Sequence, residues 1–241
     1  MKFTVSSTAL SSKLNALSRV INNKNSLPIL NDFLFEVQSN VLNMTASDSE
    51  NVMKTNLELI ESDGDYRFAV NSHDLLEAVK GFSEQPITFD IDPGTNIAKI
   101  SYQNGLFSLP VENADEYPQA TKISDTASTI VISNVLLAEN VNRSLFATAQ
   151  DELRPVMNGI FFDLTPDCLA IVASDGHKLV RNKVLTIHND QPASFILPKK
   201  PASLLKSILG KDGGDVTIRF DERNAQIQYG DGEIICRLIE G

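Results

Sequence analysis

Ser174, Asp175 and His177 bring a hydroxyl, a carboxylate and an imidazole within four positions of one another. These residue types invite an acid–base reading, with Ser174 cast as a nucleophile and Asp175 and His177 supplying the acid and the base. Their spacing argues against it. Members of a triad converge in space in separate roles, and close neighbours on a turn rarely point together. The other two histidines, His73 and His188, show no triad or metal-ligand spacing. Asp90, Asp92 and Asp221 sit at expected strand ends, where ordinary turn chemistry accounts for them. With no glycine-rich phosphate loop, His-Glu-x-x-His or EF-hand pattern, the sequence implies no catalytic residue, no metal ligand and no cofactor. A hydrolase or small-ligand protein with an Asp175–His177 site is the alternative reading.

A second kind of chemistry is cationic. Residues 7–24 and 198–211 hold Lys13, Arg19, Lys24, Lys199, Lys200, Lys206 and Lys211 without a single carboxylate. The whole chain has 21 basic and 31 acidic residues, a net charge of −10, which taken alone argues against gripping nucleic acid by bulk charge. Segregation changes that argument, because it concentrates positive potential on one set of elements of an acidic protein.

The elements that carry these residues come in two copies. Ala46-Ser47-Asp48 recurs 127 residues later as Ala173-Ser174-Asp175. At the same offset Pro28-Ile29-Leu30-Asn31 falls on Pro155-Val156-Met157-Asn158, Phe68-Ala69-Val70 on Phe195-Ile196-Leu197, and Tyr102 and Gly105 on Tyr229 and Gly232. Collinear matches at one offset mean a duplicated unit. Alternation predicts strands at 2–6, 29–37, 41–47, 51–60, 66–70, 87–91, 97–102 and 106–111, and 3.6-residue spacing predicts helices at 7–23 and 72–81. The second copy reads likewise: strands at 129–133, 156–164, 168–174, 178–186, 193–197, 216–220, 225–229 and 233–238, helices at 134–150 and 199–209. Each copy is β-α-β-β-β-β-α-β-β-β, an α+β pattern with two helices packed on antiparallel sheets.

The domain boundaries follow as 1–114 and 128–241 with a polar linker at 115–127. No apolar run reaches the ~18 residues of a membrane span, the N-terminus lacks a secretory pattern, and Cys168 and Cys236 form no disulfide or zinc spacing. A reduced, cytoplasmic setting is the expectation.

Met1-Lys2-Phe3-Thr4-Val5, Leu27-Pro28-Ile29-Leu30, Asn158-Gly159-Ile160-Phe161-Phe162, Ala173-Ser174-Asp175-Gly176-His177-Lys178-Leu179 and Leu197-Pro198-Lys199-Lys200 together resemble the bacterial sliding clamp family, the β subunit of DNA polymerase III. The resemblance runs the length of the chain and implies the DNA clamp fold. It further implies a non-catalytic processivity factor whose full-length homodimer, three domains per subunit, closes a ring around duplex DNA. Two of those domains are matched, so the expectation is an amino-terminal fragment without the third domain, monomeric in solution.

By the matching positions, the resemblance implies DNA contacts at Lys24, Gln150, Lys199 and Lys200, and the carboxylate-free charge pattern adds Lys13 and Arg19. It implies a pocket for short linear motifs of polymerases, clamp loader and repair proteins at Arg154, Met157, Ser174, Gly176, His177 and Leu179. There Met157 and Leu179 supply apolar walls, Gly176 allows close approach to the backbone, and Ser174, His177 and Arg154 offer polar contacts. Pro155 and an extra residue near Glu152-Leu153 depart from the family pattern in the neighbouring loop. With the rest of the family's pocket lying in the third domain, weak peptide binding or none is the expectation.

Overall fold

The computed structural model describes residues 1–22, 25–151, 153–210 and 213–241. Two units divide it, Met1–Gln119 and Ala120–Gly241. In the first, β1 (Lys2–Ser6) leads into α1 (Ser7–Leu17), then β2 (Asp32–Gln38), β3 (Val41–Ser47), β4 (Asn51–Glu58), the short β5 (Glu61–Ser62), β6 (Tyr66–Asn71), α2 (Ser72–Val79), β7 (Pro86–Asp92), β8 (Ile97–Tyr102) and β9 (Gly105–Glu112). In the second the order repeats as β10 (Ser128–Ser133), α3 (Asn134–Leu145), β11 (Gly159–Leu164), β12 (Leu169–Ser174), β13 (Leu179–Val184), β14 (Ala193–Pro198), α4 (Lys199–Ile208), β15 (Asp215–Phe220), β16 (Asn224–Tyr229) and β17 (Gly232–Arg237).

Strand alternation decides which face is buried. In β2 the residues Phe33, Phe35 and Val37 go inward while Leu34 and Glu36 are less buried. All pairings within the units are antiparallel. The first unit has the orders β4-β3-β2-β6 and β9-β8-β7-β1-β5, joined where Ala69 and Val70 of β6 meet Glu112 and Val111 of β9. The second has β13-β12-β11-β14 and β17-β16-β15-β10. There the joint is a single bridge, Ile196 to Ile239, at the positions 127 residues beyond Ala69 and Glu112. In each unit the two helices pack on one another and on the strands, which makes both units α+β.

The cores differ in content at matched places. Phe3 stacks on Phe89 across the β1–β7 pairing, with ring centres 4.7 Å apart. The corresponding β10–β15 pair is Ile130 opposite Ile218. Conversely, Phe162 and Phe195 stack at 4.7 Å and 6°, while their counterparts Phe35 and Phe68 meet tilted at 57°.

The bounds of strands and helices differ from the sequence-based expectation in two places that matter for the site. The strands predicted from residues 29 and 156 start later, because Pro28–Asn31 and Pro155–Asn158 form single 3₁₀ turns first. Proline at the start of each favours such a turn, and Leu30 N–H to Leu27 O (3.1 Å) and Met157 N–H to Arg154 O (3.0 Å) close them. Helices α1 and α3 also end early. After Leu17, Val20 N–H bonds Leu17 O and Ile21 N–H bonds Ser18 O, so i→i−3 bonds replace the α pattern. After Leu145, Ala149 N–H leaves the helix altogether and bonds Met157 O at 2.7 Å.

Candidate functional site

The turn between β12 and β13 is built by two side chains. Asp175 Oδ1 accepts from the backbone N–H groups of His177 (2.9 Å) and Lys178 (2.8 Å). Ser174 Oγ accepts from Gly176 N–H and donates to Lys178 O. These bonds, first from the Lys178 and His177 backbone and then from the Lys178 ammonium at 3.0 Å, hold the Asp175 carboxyl well below the usual carboxylate range. The link between Asp175 and His177 therefore runs through a backbone N–H, which is turn chemistry and not an acid–base pair. The first unit holds the same turn without a histidine. Asp48 Oδ1 accepts from Glu50 N–H (3.1 Å) and Asn51 N–H (2.7 Å), and Ser47 Oγ accepts from Ser49 N–H.

Against the 174–178 turn lies the loop that follows α3. Asn158 closes it by pairing with the main chain of Asp151, its Oδ1 accepting from Asp151 N–H and its Nδ2 donating to Asp151 O, both at 2.9 Å. The Asp151 carboxylate accepts from Leu153 N–H at 2.9 Å and from Arg154 Nε at 2.7 Å. Arg154, then the Leu153 backbone, lower the Asp151 pKa. The Arg154 guanidinium comes to rest on Gly176, where an added Cβ would stand 2.9 Å from Nη1. Gly176 itself has φ +88°, the left-handed region that favours glycine.

Of the six expected pocket residues, this geometry brings Arg154, Ser174 and Gly176 into contact. Leu179 pairs with Ser174 across the β12–β13 ladder and is 70% exposed. Met157 is half-buried and tied to Arg154 by its backbone N–H. His177 is exposed at the tip. Four contributors escaped the sequence reading: Asp151, Asn158, Lys178 and Phe146. Lys178 reaches Phe146 O at 3.1 Å and sits 5.8 Å from the centre of the Phe146 ring, which is 62% exposed. An Asp three residues before Arg154, and the match of Asn158 to Asn31 under the 127-residue offset, were the available signals.

The cationic positions divide between the units. Lys13 lies on α1, and Arg19 is exposed in the turn after it. Lys24 and Lys211 lie outside the described residues, as does Glu152. Gln150 is exposed beyond the end of α3. On α4 the buried residues are Pro201, Ala202, Leu204 and Leu205, which leaves Lys199, Lys200, Ser203 and Lys206 on the outward side. Two lysines in the first turn oppose the helix dipole, a local cost of about 0.3–1 kcal/mol that a polyanion laid there would offset. Helix α2 is different: Glu77 and Asp74 pair with Lys80 (3.1 Å) and His73 (3.5 Å).

Among the described residues no cluster of His, Cys, Asp and Glu has metal-binding geometry, and no helix is long and apolar enough to cross a membrane. Both cysteines are buried free thiols, and burial pushes Cys236 up to about 12.

Residues 1–121 match the family model for the DNA polymerase III beta subunit, N-terminal domain, and residues 131–241 match the model for its central domain. The chain is 24% identical over 244 residues to the "Beta sliding clamp" of Haemophilus influenzae, covering all of this chain and 65% of that protein. It is 29% identical to the solved DNA polymerase III beta subunit of Thermotoga maritima, with a TM-score of 0.87, all of this chain and 65% of that one being covered. The Helicobacter pylori beta clamp bound to a DNA ligase peptide is 21% identical with a TM-score of 0.89, covering 100% of this chain and 67% of that one.

Proposed function

The chain belongs to the DNA polymerase III β-subunit family, and from that premise we propose that it contributes to a sliding clamp. In that role it surrounds duplex DNA, holds polymerases on the template for processive replication and catalyses nothing itself. The observation that carries this reading is the match of both units, in order, to successive domains of the family.

The carboxylate-free outer side of α4 fits the part. Lysines that meet phosphates hold a duplex without reading its sequence, so retention comes from enclosure and the charges ease sliding. The domains take the extents 1–114 and 128–241, and ring closure with a second subunit belongs to the whole clamp. Polymerases, clamp loader and repair proteins dock by short linear motifs at Arg154, Met157, Ser174, Gly176, His177 and Leu179. A DNA ligase peptide on the Helicobacter pylori clamp is one such occupant of a relative.

Fluorescence anisotropy with a labelled 20-base-pair duplex tests the DNA side. Binding is weak, sequence-independent and salt-dependent, and the pair Lys199→Glu and Lys200→Glu makes the negative slope of log K against log salt shallower by roughly 1–2. A slope unchanged by both reversals contradicts the assignment of these lysines.

A further inference from the structure

We infer that Asp151 is a positioning residue for the proposed peptide surface: it sets the Arg154 guanidinium over Gly176 and so builds the polar rim before any peptide arrives. The inference rests on the peptide-docking reading above and adds to it a residue that contacts no peptide. Three observations support it. Asn158 pairs with both the N–H and the carbonyl of Asp151, a two-bond link that fixes where this residue's Cα stands. From that fixed point the carboxylate takes Leu153 N–H on one oxygen and Arg154 Nε on the other, so both oxygens are committed and the guanidinium plane is oriented. The guanidinium then occupies the space that a side chain at position 176 would fill.

An arginine held this way loses little rotamer freedom when a peptide carbonyl or carboxylate reaches it, because the ordering is already complete in the free protein. Asp151 and Arg154 are partly exposed, with side-chain exposures of 26% and 48%, so the ion pair contributes little to overall stability. Its consequence is geometric.

A double-mutant cycle separates positioning from a merely structural role. Asp151→Asn keeps the acceptor for Leu153 N–H and the main-chain pairing with Asn158, and it removes the charge that holds Arg154. Titrated with the Helicobacter pylori clamp's DNA ligase peptide, Asp151→Asn weakens binding about three- to fivefold, the scale of one exposed ion pair. Arg154→Ala weakens it more, and Asp151→Asn adds nothing in the Arg154→Ala background. Additive losses overturn the inference.

Amide NMR of the unliganded chain supplies the arm that needs no peptide. Asp151→Asn, Arg154→Ala and Asn158→Asp all shift the Gly176 N–H signal, with melting temperature moved little in the first two. A Gly176 signal identical to wild type in Asp151→Asn and Arg154→Ala also overturns the inference. If the wild type shows no response to peptide, as the expected loss of the third-domain half of the pocket allows, the Gly176 shifts alone decide the inference: present they uphold the positioning geometry, absent they overturn it.

Discussion

The loop ending at Asn31 and the loop ending at Asn158 are the same piece of architecture twice, and only the second sets an arginine against a glycine turn. Both finish in a proline-led 3₁₀ turn, and each unit also holds a turn tied by an aspartate and a serine. In the first unit Asn31 Oδ1 accepts from Asn25 Nδ2 at 3.2 Å, Leu27 stands where the second unit has Arg154, and Ser49 stands where it has Gly176. Ser49 adopts φ +81°, close to the +88° of Gly176. The turn thus forms with a side chain present, so its hydrogen bonds do not by themselves demand glycine. What Gly176 adds is the bare space on which the Arg154 guanidinium lies. The scaffold is shared, and two exchanges, Leu27 for Arg154 and Ser49 for Gly176, set the second copy apart.

A second contrast between the copies gives the largest expected effect. Asp32 begins β2 and is buried against Asn71, whose Nδ2 donates to it at 3.3 Å; at the matched place β11 begins with Gly159. Burial first, then Glu112 and Asp74 nearby, raise Asp32 from 3.8 to about 6. Because the folded pKa is the higher one, the neutral form is favoured by folding. That stability is complete below about pH 4 and is lost as pH rises through 6. Asp32→Asn removes the loss. It should leave the first unit about 2 kcal/mol more stable than wild type at pH 8 and roughly equal at pH 4, read by urea denaturation. A difference that does not vary with pH would break this contrast.

The matched turns give the next effects. Gly176→Ala places a Cβ in the left-handed region and against Arg154, costing about 1–2 kcal/mol in thermal or urea denaturation. Ser49→Gly, the reverse exchange in the first unit, relieves a similar strain but frees the unfolded chain. It gains at most about 1 kcal/mol. Equal and opposite changes of negligible size in both units would mean that the positive φ carries no strain in either.

Much of the architecture was legible because it is local and repeated. Period-2 alternation located the long strands, Asn71 announced the α2 cap by accepting from His73 and Asp74 N–H, and the 127-residue offset paired the copies. The two-residue strand β5 carries too short a pattern to read. Helix ends were overrun because residues 18–21 and 146–149 keep apolar residues in step while their hydrogen bonds change type. The site was legible only in part, since its decisive contacts are not local. Arg154 meets Gly176 across 22 residues and Lys178 meets Phe146 across 32, and no spacing rule joins either pair. Asp32 fell inside the strand predicted at 29–37, and only the fold reveals its burial.

The most direct test of the whole account is an amide shift map of the isotopically labelled chain titrated with the DNA ligase peptide seen on the Helicobacter pylori clamp. The account predicts shifts at residues 153–157 and 174–179 and unmoved signals at the matched positions 27–30 and 47–51. Equal responses in both loops, or shifts confined to the first unit, would contradict it.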